Sequence, residues 1–205
     1  MIVIIDCGIG NVGSVAHALE YLGGKYFISG NRKDFESADA LVLPGVGAFP
    51  AGMKNLREFG LVDEMEKQVL INKKPFMGIC LGMQLLASDS TEGGFNTGLG
   101  WIEGHVISLS PEGNLRVPHV GWNDVKFDRS SCFSHNIDEN AHFYFDHSFH
   151  LQCDKSLAIA TCEYGGTLVA AIQRENIFAT QFHPEKSQRN GLKVLRNFLN
   201  FVGKH

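Results

Sequence analysis

The sequence predicts an α/β fold with a mostly parallel central sheet, flanking helices and a second half rich in β-strands. In the first half, short apolar runs alternate with segments of helical spacing, which is typical of parallel strands joined by helical crossovers. In the second half, several strand-like runs follow one another with only short turns between them, a pattern that favours hairpins. The length of 205 residues predicts a single domain spanning residues 1–205.

The elements of the first half are predicted from apolar runs and from the residues that start or stop helices. Ser14 is predicted to cap the first helix, and Gly23 and Gly24 to end it. The predicted strands are Ile2–Ile5, Ala40–Leu43 and Pro75–Ile79, and the predicted helical segments are Ser14–Leu22, Pro50–Ile71 with a break near Gly60, and Leu81–Ala87.

Five strands and one helix are predicted in the second half. The strands are Ile102–Leu109, Asp124–Phe127, Leu157–Glu163, Thr167–Gln173 and Ile177–Gln181. The last segment, Gly191–Val202, places its apolar residues on one face at helical spacing, which predicts an amphipathic helix packed against the rest of the protein.

Composition and charge argue against several classes of protein. The 18 basic and 22 acidic residues give a net charge of −4, which disfavours a broad surface for nucleic acid or anionic lipid. No apolar run is long enough for a transmembrane helix, and the first residues lack the basic start of a signal peptide. The five scattered cysteines form no CxxC pair, as expected in a reducing compartment. We therefore expect a cytoplasmic protein with no metal site and no cofactor.

Cys80 is the candidate nucleophile. It is the central residue of the segment G-I-C-L-G at 78–82, between a predicted strand and a predicted helix, which is the pattern of a nucleophile elbow with sulfur in place of oxygen. The glycines permit a tight and strained turn, and the helix N-terminus favours a thiolate. The N–H of Leu81 is expected to face the same space as an oxyanion donor. A buried structural thiol is the expectation for Cys7, Cys132, Cys153 and Cys162.

His183 and Glu185 are the candidate base and its orienting carboxylate. They follow the predicted strand Ile177–Gln181, and residues just after parallel strands gather at the carboxyl edge of the sheet, where the elbow also opens. A thiol nucleophile needs a proton acceptor held by a third group. The other histidine cluster, His147 and His150, is not predicted to bind metal because its spacing places the two rings on opposite faces of a strand.

Two glycine-rich loops follow predicted strands. Gly8, Gly10 and Gly13 satisfy G-x-G-x-x-G, but no acidic residue ends a second strand at the distance that a dinucleotide site requires, so dinucleotide binding is not expected. The other loop, Pro44 to Gly47, either forms a plain turn or offers backbone N–H groups to an anion.

Taken together, these motifs resemble those of the class I glutamine amidotransferases, and in particular the glutaminase subunits of imidazole glycerol phosphate synthases. The resemblance covers residues 4 to 187 and is specific because several separate motifs occur jointly. They are Ile4-Ile5-Asp6 with Gly10-Asn11, Leu43 to Gly47, Gly78 to Gln84, Val117 to Asn123, Tyr144 to Phe149, and His183 to Ser187.

The resemblance implies a flavodoxin-like fold and a Cys-His-Glu triad that hydrolyses glutamine to glutamate and ammonia. Cys80 is the implied nucleophile, His183 the proton carrier and Glu185 its orienting partner. The implied oxyanion donors are the N–H of Leu81 and an N–H of the 45–47 turn, Val46 or Gly47, and this turn is expected to reorient when the partner is loaded. The residues that the resemblance assigns to glutamine binding are Gly45, Gln84, Glu92, Ser148 and Phe149.

The resemblance also implies a partner, because no ammonia-using domain is present in these residues. The implied partner is the (β/α)8-barrel cyclase subunit, in a heterodimer that functions in histidine biosynthesis. The implied interface residues are Asn11, Trp122, Tyr144 and Lys186.

Other partners and activities remain open from the sequence. Gly13 and Phe149 stand where many histidine-pathway members carry Arg and Tyr, so a sugar amidotransferase that acts on bacterial surface sugars is the alternative partner. A Cys–His peptidase with a substrate larger than glutamine and a non-catalytic binding subunit are further alternatives. Retention of all three triad residues argues against the binding subunit.

Overall fold

The computed structural model of the protein describes residues 1–128 and 130–204, and a nine-stranded sheet lies at its centre. The described strands are β1 (Ile2–Ile5), β2 (Tyr26–Ser29), β3 (Ala40–Gly45), β4 (Phe76–Cys80), β5 (Ala87–Ser90), β6 (Asn96–Thr97), β7 (Ile102–Ser108), β8 (His119–Phe127), β9 (Ala141–His147), β10 (Phe149–Cys153), β11 (Ala158–Glu163), β12 (Thr167–Arg174) and β13 (Ile177–Thr180). The strand order in the large sheet is β2-β1-β3-β4-β13-β12-β11-β8-β9.

The first part of this sheet is parallel. β2, β1, β3, β4 and β13 all run in the same direction, in the 2-1-3-4-5 order of a flavodoxin-like fold. Every residue of β1 is buried, with Ile2 and Ile4 packed in one core and Val3 and Ile5 in the other. The continuous apolar runs of the sequence therefore lie between two layers, and the predicted α/β fold is confirmed.

The second part of the sheet is antiparallel and extends from β13 through β12, β11, β8 and β9. A separate four-stranded sheet, ordered β10-β7-β5-β6, contains the remaining strands. β9 and β10 are separated only by Ser148, so the chain passes from one sheet to the other at this residue. The predicted β-rich second half is therefore divided between an antiparallel extension of the large sheet and the separate four-stranded sheet.

The described helices flank the sheet. They are α1 (Val12–Tyr21), α2 (Arg32–Ser37), α3 (Phe49–Glu58), α4 (Val62–Glu66), which continues as a π-helical turn at Lys67–Ile71, α5 (Leu81–Gln84) and α6 (Gln188–Val202). α6 buries Val194, Leu195 and Phe198 in the same core as Ile2 and Ile4. None of the helices in the described part of the chain is both long and apolar enough to cross a membrane.

Two helix predictions need correction. The first helix begins at Val12 and is capped by Asn11, whose Oδ1 accepts the N–H of Ser14 at 3.3 Å. Asn11 is therefore the N-cap residue, and Ser14 only donates its backbone N–H to it. α5 ends at Gln84 rather than at Ala87, because the Leu86 carbonyl accepts the N–H of Ile102 at 2.9 Å and so turns the chain into the smaller sheet.

The strand predictions missed parts of the second half. β8 begins at His119 rather than Asp124, and β5, β6, β9 and β10 were not predicted. Two apolar residues of β8, Val120 and Trp122, are exposed, and the buried face at its start carries His119 rather than an aliphatic residue. The expected alternation of apolar and polar side chains is therefore reversed there, which hid the strand.

Candidate active site

Cys80 is the last residue of β4 and immediately precedes α5. Its backbone has φ 53° and ψ −108°, a strained conformation for a residue with a side chain. A Cβ at Gly82 would overlap the carbonyl oxygen of Leu43, and one at Gly78 would lie 2.6 Å from the carbonyl oxygen of Gly82. Both glycines are thus required by close approach of the backbone, and together they present the sulfur at the carboxyl edge of the sheet.

His183 lies three residues beyond the end of β13, the strand next to β4, and faces the sulfur. Its Nδ1 is 2.8 Å from Glu185 Oε1, and both side chains are 2% exposed. Burial by itself lowers the pKa of His183, but hydrogen bonds and charge from Cys80 and Glu185 outweigh burial and raise the pKa to about 10. The imidazole is therefore held so that it can carry a proton beside the sulfur.

The strand β9 lies across both groups. The Tyr144 carbonyl accepts the backbone N–H of His183 at 2.9 Å. The Asp146 carbonyl lies 3.9 Å from Cys80 Sγ, within reach of the thiol proton. β9 therefore holds the base through its backbone and also covers the nucleophile.

The sulfur opens into a cavity of about 250 Å³, large enough for one amino-acid side chain and its backbone groups. The residues that line it are Val46, Gly47, Cys80, Leu81, Gln84, Glu92, Pro118, Asp146, His147, Ser148, Phe149 and His183. Most of the residues predicted for the triad, the oxyanion site and glutamine binding are therefore brought together in one cavity. Glu185 and Gly45 do not line it: Glu185 lies behind His183, and Gly45 packs against Leu81, whose Cβ would be 2.8 Å from an added Cβ.

The two expected oxyanion donors differ in whether their N–H groups already donate a hydrogen bond. Leu81 is the first residue of α5, so its N–H has no partner within the helix. The Val46 N–H instead donates to the carbonyl of Ile9 at 2.6 Å and is not available to an oxyanion. The next residue, Gly47, has φ 102°, which gives the turn the freedom to rotate.

Glu92 and Gln84 both line the cavity, and each also contacts the protein through its side chain. Glu92 Oε2 accepts the N–H of Phe49 at 2.7 Å, so this carboxylate also satisfies a free N–H at the start of α3. Gln84 donates from Nε2 to the Phe149 carbonyl at 2.8 Å. In both of these side chains, one polar atom contacts the protein. The other polar atom, Oε1, takes no part in that contact.

Three of the four predicted interface residues meet on one surface. Trp122 is 49% exposed, and its ring is 6.2 Å from that of Tyr144. Lys186 Nζ lies 5.6 Å from the Tyr144 ring centroid, close enough for a cation–π contact. Asn11 is half-buried at the start of α1, so it has a capping role whether or not it contacts a partner.

The structure also brings to the site residues that the sequence analysis did not select. His119 and His147 are buried and hydrogen-bonded, with Nδ1 of His119 3.0 Å from Nε2 of His147. Gln181 is 1% exposed and lies next to Cys80. The sequence analysis considered His147 only as a possible metal ligand and gave no role to His119 or Gln181, although Gln181 lies two residues before the base.

The histidine cluster at 147 and 150 is divided between two strands. His147 ends β9 and His150 belongs to β10. Both ring nitrogens of His147 have partners, Nε2 in His119 and Nδ1 in the Phe149 carbonyl at 2.8 Å. Within residues 1–128 and 130–204, no group of three or more His, Cys, Asp or Glu side chains is arranged to hold a metal ion.

Comparison with known proteins shows which family this chain resembles. The family model described as "Glutamine amidotransferase class-I" matches residues 3–201. The chain is also 48% identical to "Imidazole glycerol phosphate synthase subunit HisH 1" of Campylobacter jejuni, with 97% of this chain and 99% of that protein covered. Proteins named "Imidazole glycerol phosphate synthase subunit HisH 2" are 46% identical in Vibrio vulnificus and 44% identical in Pseudomonas aeruginosa, each over 98% of this chain and over 94% and 100% of those proteins.

Solved structures support the fold. One titled "Crystal structure of glutamine amidotransferase" matches with a TM-score of 0.77 at 22% identity and covers 98% of both chains. The structure of PurLQS from Thermotoga maritima matches with a TM-score of 0.71 at 20% identity and covers 98% of this chain and 97% of that one. At these identities the likeness concerns the arrangement of strands and helices.

Proposed function

Because this chain belongs to the class I glutamine amidotransferase family, we propose that it is the glutaminase subunit of an imidazole glycerol phosphate synthase. Its activity is the hydrolysis of glutamine to glutamate and ammonia for histidine biosynthesis. Relatives that carry this subunit name and are 44–48% identical over nearly the whole chain support the proposal. The observation that carries it is the hydrogen-bonded arrangement of Cys80, His183 and Glu185 at a cavity of amino-acid size.

The proposed reaction begins with attack of the Cys80 sulfur on the side-chain carboxamide carbon of glutamine. A C–S bond forms, and the carbonyl electron pair moves to oxygen, where the N–H of Leu81 stabilises it. His183 then gives its proton to the departing nitrogen, and ammonia leaves with the formation of a thioester. Glu185 keeps the imidazole oriented through its 2.8 Å contact with Nδ1.

Water completes the reaction. His183, now neutral, accepts a proton from the water molecule that attacks the thioester carbon. The second tetrahedral intermediate collapses, the C–S bond breaks, and the electron pair returns to sulfur as glutamate forms. His183 keeps the proton that it took from water, and the new carboxyl group of glutamate loses its own proton to solvent, so the enzyme finishes with the same charge state in which it started.

Gln84 and Glu92 are proposed to bind the amino-acid end of glutamine. A carboxylate suits the α-ammonium group, and Glu92 lines the cavity while its Oε2 caps α3. The backbone at Ser148 and Phe149 forms the adjoining wall. Because these groups recognise α-substituents, they favour free glutamine over a peptide substrate.

The proposed partner is the cyclase subunit that consumes the ammonia, and the proposed location of the heterodimer is the cytoplasm. The exposed Trp122, with Tyr144 and Lys186 beside it, supports this surface as the interface because Trp and Tyr side chains often anchor interfaces. The engaged Val46 N–H supports a resting state of the isolated chain, in which only one oxyanion donor is available.

The first test is glutamine hydrolysis by the purified chain alone and mixed with a histidine-pathway cyclase subunit carrying its nucleotide ligand. One missing oxyanion donor costs about 100-fold in kcat, so the partner is expected to stimulate turnover by about that factor. The Cys80→Ala variant is expected to lose turnover while keeping its circular dichroism spectrum and its partner binding.

Each outcome of this test has a distinct meaning. Full turnover by the isolated chain would contradict the resting state, and a folded Cys80→Ala variant that retained turnover would contradict the triad. A further outcome is that the partner fails to stimulate turnover while a glutamine-like electrophile still labels Cys80 of the wild type. This outcome would leave the proposed glutaminase activity standing and would favour a sugar amidotransferase as the partner.

A further inference from the structure

Gln181 is a buried glutamine in direct contact with the nucleophile. It follows β13, is 1% exposed, and its Nε2 lies 3.6 Å from Cys80 Sγ. It does not line the cavity that opens at the sulfur, so it approaches Cys80 from the protein side rather than from the substrate side. A buried amide needs hydrogen-bond partners for its nitrogen and its oxygen, and the sulfur is one of the partners of Gln181.

A single backbone carbonyl determines the orientation of this amide. The carbonyl of Phe149 can only accept, so the Gln84 atom 2.8 Å from it is the nitrogen, Nε2. The same Nε2 lies 3.0 Å from the amide of Gln181, which must therefore present its oxygen to Gln84. The nitrogen of Gln181 is then the atom that faces the sulfur. No exchange of nitrogen and oxygen in either side chain would preserve all of these contacts.

The tautomer of His147 strengthens this assignment. The Phe149 carbonyl also accepts from His147 Nδ1 at 2.8 Å, so His147 Nε2 must accept, and its donor is His119 Nδ1. The Phe149 carbonyl oxygen therefore accepts from two donors, Gln84 Nε2 and His147 Nδ1. This leaves little freedom for the carbonyl to move away from Gln84 and release the Gln181 amide.

The groups around the sulfur favour different protonation states. The Asp146 carbonyl, at 3.9 Å, can only accept a proton from a thiol. The Gln181 amide can only donate to the sulfur, and a donor stabilises an anionic acceptor more than a neutral one. Both groups act in a buried site, where such interactions are stronger than in water. Gln181 therefore opposes Asp146 and supports the anion.

We propose that Gln181 is a further catalytic residue, which stabilises the negatively charged Cys80 sulfur by donating its Nε2–H to it. This inference rests on the proposed glutaminase function and adds a residue to its chemistry. The hydrogen bond favours the anionic form of the sulfur over the thiol, weakens when the C–S bond of the thioester forms, and strengthens again when that bond breaks and the electron pair returns to sulfur. Removing the donor is therefore expected to lower kcat rather than to raise KM.

The test uses Gln181→Met, which keeps the length of the side chain without its N–H, and Gln181→Glu, which replaces the donor with an acceptor. Alkylation of Cys80 by iodoacetamide at neutral pH, followed by mass spectrometry of its peptide, reports on the sulfur without requiring glutamine. Hydrogen bonds to charged groups correspond to about 10- to 100-fold in rate. We expect Gln181→Met to slow both alkylation and kcat by that factor, with KM for glutamine changed less than about 3-fold, and Gln181→Glu to slow them further.

Gln68→Met is the matched control. Gln68 is also a buried glutamine, 2% exposed, and its amide contacts Glu64 and Asn72 rather than the active site. This variant is expected to retain the wild-type alkylation rate and the wild-type kcat. The comparison separates loss of the contact to sulfur from loss of any buried amide.

Two results would overturn the inference. One is a folded Gln181→Met variant whose alkylation rate and kcat stay within about 2-fold of the wild type, and the other is a change confined to KM. A wild-type chain that alkylates normally but never hydrolyses glutamine, with or without the cyclase subunit, would instead contradict the proposed function.

Wild-type protein provides a second measurement if Gln181→Met does not fold. In ¹⁵N-labelled protein, alkylation of Cys80 removes the charge from the sulfur, so the side-chain amide resonances of Gln181 are expected to shift while those of Gln68 stay in place. Unchanged Gln181 resonances would contradict the proposed contact.

Discussion

Gly82 shows how a single missing side chain permits the catalytic turn. A Cβ at this position would overlap the carbonyl oxygen of Leu43 on the neighbouring strand, so β3 and the start of α5 approach each other only because residue 82 is glycine. Gly13, in contrast, has no atom within 4 Å of an added Cβ. The two glycines therefore form a natural pair for comparison.

We predict that Gly82→Ala lowers the free energy of unfolding by about 3 kcal/mol, because the backbone must shift to remove the overlap. Gly13→Ala, at an open position of α1, is expected to be neutral or to stabilise by up to about 1 kcal/mol through helix propensity. Urea denaturation of the two variants measures both changes. Equal stability of the two variants would show that the elbow tolerates a side chain.

Sequence patterns predicted which residues form the triad, but they did not predict which other residues contact it. The motifs around Cys80, His183 and Glu185 have local signatures, and the structure places these residues together. Gln181 has no such signature, since its contact with the sulfur depends on β13 and β4 pairing in the correct register. The resemblance implied that the 45–47 turn reorients, but the hydrogen bond that holds the Val46 N–H was beyond prediction, because its partner, Ile9, belongs to a different loop.

The hairpin of β8 and β9 contains a pair of neutral histidines, His119 and His147. Burial lowers the pKa of each to about 4, although a hydrogen bond from His147 to the Phe149 carbonyl partly opposes this effect. Asn123 Nδ2 faces His119 Nε2 at 3.3 Å and also donates to the Glu163 carbonyl. A second proton on His119 would therefore point at a donor, so the pair is suited only to the neutral form.

This pair predicts a loss of stability in mild acid. Between pH 6.5 and about 4 the unfolded histidines bind protons that the folded ones exclude, so the free energy of unfolding falls as the pH decreases through this window. In His119→Phe, whose ring keeps the stacking on Tyr164 at 3.8 Å, this fall is expected to be smaller. Thermal denaturation of the wild type and of His119→Phe at several pH values measures the size of this fall in each protein.

His17→Phe, at an exposed position on α1, is the control for the acid effect. It is expected to follow the wild-type pH dependence. A His119→Phe profile that matched the wild type between pH 4 and 6.5 would show that the buried pair does not control stability there.

At the scale of the whole molecule, the site lies at the boundary between the parallel and antiparallel parts of the sheet. Cys80 ends one parallel strand and His183 follows another, whereas β9, from the antiparallel part, covers them. Apolar runs predicted β1, β3, β4 and β13 because every residue of these strands is buried. The antiparallel part was predicted only in pieces, since β8 turns Val120 and Trp122 outward and a single sequence does not reveal what such a surface contacts.

We predict that Trp122→Ala weakens binding of the cyclase subunit by about 30-fold or more, the loss expected for an aromatic anchor at an interface centre. Isothermal titration calorimetry measures the change. Trp122 is half exposed, so the unfolding free energy is expected to remain close to that of the wild type. Tyr21→Ala, at an exposed aromatic residue at the end of α1, is the control, and equal binding by the two variants would exclude Trp122 as the anchor.

The pairing of β4 with β13 also governs when catalysis can begin during synthesis of the chain. Cys80 and Gln181 are 101 residues apart in sequence, and the base follows Gln181. A ribosome-bound chain that has released only the first half has its future nucleophile in a strand without a neighbour on that side. We therefore expect that incomplete chains cannot release ammonia, and that the enzyme becomes active only when its final strand and helix have left the ribosome.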